Sequence, residues 1–99
     1  MWIMNDFMFF PVDELPDLHS RLEDGKSIFT TRVSSEAGKY QVGQTHDSEL
    51  GTLQVISLQH FARFDEHPFI ADLTSAQAAE INRYLDERGM DVVELVKVA

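Results

Sequence analysis

Apolar side chains recur along this chain with two periods, and each change of period predicts a new element. Phe7, Met8, Phe9 and Phe10 form a dense aromatic run whose length suits a strand over Asn5 to Phe10, buried on both sides. Pro11 ends it. Leu15, Leu18 and Leu22 then follow at spacings of three and four, the apolar stripe of a helix of about three turns. Asp13 is placed to cap that helix, Pro16 falls in its first turn, and Gly25 supplies the left-handed residue that ends it.

At Ser27 the period changes to two. Ile28, Phe29, Thr30, Thr31 and Val33 favour extended backbone, with Ile28, Thr30 and Arg32 on one face and Phe29, Thr31 and Val33 on the other. Ser34 to Lys39 has loop composition, Tyr40 to Gln44 suits a short strand or extended turn, and His46 to Gly51 is a polar connection. Thr52 to about Phe61 alternates as a strand, with Leu53, Val55 and Ser57 opposed to Thr52, Gln54, Ile56 and Leu58. Ala62 to Asp72 has no clear period, and Pro68 argues against a continuous element there. Thr74 and Gln77 have capping-box spacing ahead of a second helix, whose stripe is Ala78, Ile81, Tyr84 and Leu85 and which Gly89 closes. Met90 to Val98 is apolar enough for a buried last strand. The order strand, helix, strands, helix, strand predicts an α+β domain, a small mixed β-barrel or curved sheet with two flanking helices.

Ninety-nine residues suit one domain over 1–99, with a single hydrophobic core. With no cysteine, disulfide and thiolate chemistry are excluded. The apolar amino terminus has no basic flank and is too short to span a bilayer, so the expectation is a soluble, cytoplasmic protein without a membrane partner. The net charge of −9 is unevenly distributed: residues 25–45 carry Lys26, Arg32 and Lys39 against Glu36, and the flanking segments are acidic. A chain this acidic is a poor general coat for nucleic acid, whereas a small polar or anionic ligand held near residues 25–45 remains compatible with it.

Lys26, Thr30 and Arg32 are the most suggestive polar group, because arginine offers a planar fork and lysine a tunable amine. Their plain alternative is a solvated edge strand. His19, His46, His60 and His67 show no metal-ligand spacing, and no serine has a nucleophile motif, so no metal and no cofactor is expected. Asp65 and Glu66 beside His67 provide acid–base chemistry only if that loop folds over the Lys26 region. Tyr40 and Phe29 are the aromatic residues best suited to stacking on a planar ligand.

Residues 18–32, Leu-His-Ser-Arg-Leu-Glu-Asp-Gly-Lys-Ser-Ile-Phe-Thr-Thr-Arg, followed by Tyr40-Gln41-Val42-Gly43-Gln44, resemble the opening of ASCH domains of the PUA-like superfamily. The shared pattern is a helix ending in glycine, a lysine, a Thr-x-Arg strand and a Val-Gly turn. The resemblance implies a PUA-like barrel with a cleft beside the Gly-Lys turn, and a nucleoside, nucleotide or short RNA as ligand. It further implies hydrolysis of an N4-acylated cytidine by a lysine, a threonine and a glutamate, here Lys26, Thr30 and Glu66. Arg32, Tyr40 and Ser27 would then contact the ligand; the family's lysine position falls on Ser27, one residue after Lys26. Gln44 stands where the family has an acid. The competing expectation is an acidic protein-interaction or regulatory domain without catalysis.

Overall fold

The first helix stops where its sequence provides a stop. The computed structural model describes residues 7–98, and in it α1 spans Leu15–Glu23. Gly25, at φ 77°, donates its N–H to the Leu22 carbonyl while Lys26 N–H reaches the Arg21 carbonyl. Together these bonds satisfy two carbonyls that a helix end leaves open. Asp13 is not the cap. Pro11 accepts from the Glu14 N–H and starts a 3-10 turn over Val12–Glu14, so α1 begins behind it without a side-chain cap.

Beyond the turn the chain forms β1 (Ile28–Val33), β2 (Thr45–Ser48), β3 (Gly51–Phe61), α2 (Ser75–Tyr84) and β4 (Met90–Lys97). The four strands make one antiparallel sheet in the order β1-β4-β3-β2. This is the α+β arrangement of a sheet and two helices that the periodicity predicts. β4 lies inside the sheet and is buried on both faces, hence its nearly unbroken apolar run.

Residues directly opposite one another in an antiparallel pair share a face, so the register sorts the side chains. One face carries the rows Ile28–Leu95–Val55, Thr30–Val93–Leu58 and Arg32–Asp91–His60. α1 packs there through Leu15, Leu18 and Leu22, with Met8, Phe10, Tyr40 and Leu50 completing the core. Each fully buried side chain of this size contributes about 1.5–3 kcal/mol of hydrophobic stabilisation. The other face carries Phe29, Thr31, Val33, Met90 and Val92, and α2 covers it with Ile81.

Several expectations change. A bulge between Val55 and Ser57 leaves Ile56 unpaired and 42% exposed and reverses the alternation, which brings Leu58 to the same face as Val55. The segment Tyr40–Gln44 is a turn, while the supposed polar connection supplies β2, because a tight hairpin pairs Ser48 with Gly51 and buries His46 and Ser48. Of the aromatic opening run, residues 5 and 6 lie outside the described residues; Met8 and Phe10 are buried, and Phe7 and Phe9 stack on each other at 4.8 Å on the outside. The box expected at the start of α2 is present, with Gln77 N–H donating to Thr74 Oγ1 and Thr74 N–H to Gln77 Oε1. However, α2 ends at Tyr84, whose ring is exposed, and Gly89 belongs to the turn before β4. Among the described residues no helix is long and apolar enough to cross a membrane.

Candidate functional site

β1 is the outermost strand on its side of the sheet, and a cavity of about 610 Å³ wraps around it between α1 and α2. Ile28, Thr30 and Arg32 line this cavity from one face of the strand, and Phe29 and Thr31 line it from the other. The size is that of a small-molecule cleft.

Arg32 sits at the core side of the cleft in an unusual state. Its guanidinium lies 5.0 Å from the Phe10 ring centroid and 6.0 Å from that of Tyr40. Both Nε and Nη2 are shut off from solvent, yet among the described residues neither has a hydrogen-bond partner. Asp91, directly across on β4, is the natural candidate. Its carboxylate is already engaged, with Oδ2 accepting from Gly38 N–H at 2.7 Å and Oδ1 lying 2.7 Å from His60 Nδ1. Burial raises the Tyr40 phenol above its ordinary pKa against the opposing pull of Arg32, so Tyr40 faces the guanidinium as a neutral ring.

On the other face, His67 is 4% exposed. Its Nδ1 accepts from the Phe69 N–H at 3.0 Å, which leaves the ring proton on Nε2, 2.8 Å from Thr31 Oγ1. In that tautomer His67 donates to Thr31 and cannot take its proton. The Thr31 hydroxyl is therefore a positioned donor in the cleft wall and not an activated nucleophile. Phe69, beside His67, packs edge-on against Phe29 at 4.7 Å and supplies an aromatic wall.

Burial lowers the His67 pKa below its ordinary value of 6.5. The unfolded chain then binds a proton that the folded chain resists, so this residue contributes stability above pH 6.5 that is lost as the pH falls. Denaturation midpoints followed downward from neutral pH are expected to fall less steeply for His67→Gln than for the parent chain. Equal slopes would remove His67 as the source.

The structure brings together only part of the predicted site. Thr30, Arg32 and Phe29 border the cleft, and Tyr40 stands behind Arg32. Ser27 does not line it; its hydroxyl donates to Glu94 Oε2 at 2.6 Å. Lys26 is exposed beyond the helix end and also lies off the cavity lining. Glu66 is likewise elsewhere, accepting from the N–H groups of Ala62 and Arg63 to close its own 3-10 turn. Of the loop cluster, His67 is the member that reaches β1. Thr31 and Phe69 carry no local signal in the sequence that marks them as site residues. Their alternation and spacing match any half-buried strand or loop residue, and only the pairing with His67 and Phe29 distinguishes them. No group of three or more potential metal ligands occurs among the described residues.

No family model matches the chain, and comparison with curated proteins and with solved structures finds no significant match.

Proposed function

We propose that the chain is a small-ligand-binding domain of the ASCH, PUA-like kind, taking a nucleoside or nucleoside monophosphate in the cleft beside β1. The observation that carries this reading is Arg32, whose Nε and Nη2 are buried without a hydrogen-bond partner among the described residues. Buried polar groups are nearly always paired, and a forked donor without a partner at the wall of a cleft marks the place of an absent acceptor. Phe29 and Phe69 offer a face for a planar base, and Thr30 and Thr31 offer hydroxyls at the same wall.

The rim carboxylates Glu14, Asp72 and Glu80 oppose a polyanion, which favours a mononucleotide over a length of RNA. Of the three residues that the resemblance assigns to hydrolysis, only Thr30 borders the cleft, and this favours binding over turnover of an N4-acylated cytidine. Calorimetric titration with nucleosides and their monophosphates tests the reading. Arg32→Met is expected to weaken the monophosphate at least about tenfold, the loss of a charge-assisted hydrogen bond of roughly 1.5 kcal/mol or more. The same variant is expected to be more stable than the parent by about 1 kcal/mol, because it removes two unsatisfied buried donors at the cost of weaker cation–π contacts. Unchanged affinity together with lower stability would make Arg32 a structural residue. Release of acetate from N4-acetylcytidine would return the hydrolytic reading.

A further inference from the structure

The two edges of the sheet are treated differently. At β2 the aromatic segment lies alongside: Met8 forms a parallel bridge with Ser48, Met8 N–H donates to the Asp47 carbonyl at 2.9 Å, and Phe10 N–H reaches Glu49 Oε2 at 3.2 Å. At β1 no such cover exists among the described residues, where β4 is its sole strand partner. Natural edge strands are usually blunted by a proline, a bulge, an outward charge or shortness. β1 has six residues in unbroken register, contains no proline, and its one charge, Arg32, is turned toward Phe10 and Tyr40.

The cleft is centred on this uncovered edge. Residues of alternate parity along one strand point to opposite faces, so a cavity lined by both Ile28, Thr30 and Arg32 and by Phe29 and Thr31 must run past the strand's outer backbone. Its walls suit an added strand: Phe9, 68% exposed, stands on the α1 side, and Phe29, 43% exposed, stands with Phe69 on the α2 side. Glu14, Asp72 and Glu80 outnumber the one exposed cation of the lining, Arg21, and leave the rim acidic.

We propose that the β1 edge accepts an extended segment of a partner protein by strand addition, a segment that alternates apolar side chains with lysine or arginine. Its main chain pairs with the outward N–H and C=O groups of β1, its apolar residues lie against Phe9 and the Phe29–Phe69 pair, and its cations meet the rim carboxylates. A second copy of this chain is the poorer occupant, because edge-to-edge pairing would bring two acidic rims together on chains of net charge −9. This inference rests on the strand edge and is independent of the Arg32 reading.

Selection from a phage-displayed library of random linear peptides, followed by hydrogen exchange on the protein, tests it. Enriched peptides are expected to alternate apolar and basic residues and to protect the amides of β1 that point away from β4. Methylation of the peptide's alternate backbone amides is expected to abolish binding. D72K/E80K, which changes two exposed side chains, is expected to weaken the selected peptides about tenfold, chiefly through slower association, with an unchanged unfolding midpoint. The same double variant should tighten a nucleoside monophosphate, and these opposite signs separate the two readings. The proposal is overturned by failure to enrich any peptide, by enriched peptides that are acidic or leave β1 exchange unaltered, or by a concentration-dependent dimer that protects β1 without peptide.

Discussion

Gly89→Ala is expected to destabilise the protein by about 3 kcal/mol. Two strains add. Gly89 has φ 77°, a left-handed conformation that costs a residue with a Cβ about 1–2 kcal/mol. In addition, a Cβ there would stand 2.5 Å from the Phe61 carbonyl oxygen and 2.9 Å from His60 Nε2. The histidine tip can turn aside, but the carbonyl belongs to β3 at the point where Phe61 pairs with Met90, and it moves only if the sheet moves. Overpacking of that sort costs about 1–3 kcal/mol. Gly25→Ala is the control: φ is again 77°, but nothing lies within 4 Å of its added Cβ, so only the conformational cost of about 1 kcal/mol applies. Urea denaturation of both variants checks the pair, with Gly89→Ala expected to lower the thermal midpoint by about 10–20 °C. Equal losses would show that the turn before β4 yields.

Asp91→Ala is the second large effect, expected at about 3 kcal/mol. Asp91 is 2% exposed in the central strand, and its carboxylate takes Gly38 N–H on one oxygen and faces His60 Nδ1 on the other. Removing it leaves the Gly38 donor unsatisfied, frees the loop before Tyr40, and removes the carboxylate that lies opposite Arg32 in the register. Asp91→Asn retains an acceptor for Gly38 and allows His60 to change tautomer, so it is expected to cost about 1 kcal/mol. Chemical denaturation of the two variants, with His60 followed by NMR, distinguishes them. A loss for Asp91→Ala no greater than for Asp91→Asn would mean that the carboxylate does not hold the Gly38 loop.

The residues whose structure was legible in the sequence are those governed by near neighbours. The Gly25 stop, the Thr74–Gln77 box, the stripe of α1 and the extended runs of β1 and β4 all follow from side chains within a turn or two of one another. Thr30 and Arg32 were likewise legible as a polar pair on one strand face. Where the outcome turned on distant pairing, local reading went astray. β2 is polar by composition and becomes a strand because β3 lies beside it; the bulge at Ile56 reverses a regular alternation because β4 fixes the register on both sides of it. In the site, Lys26 and Glu66 lie off the cleft wall, a placement that follows from the fold and not from their residue types.

By itself, then, the sequence determined an α+β chain of strands and two helices with a threonine and an arginine on an early strand. Those features come from periods, caps and propensities that act over a few residues. Tertiary structure alone decided that this strand would be a sheet edge and that a cleft would wrap around it. It also decided that His67 would hold Thr31, and that two donors of Arg32 would be buried without a partner among the described residues. Strand order and side-chain pairing across tens of residues depend on which surfaces meet when the core closes, and no local pattern carries that information.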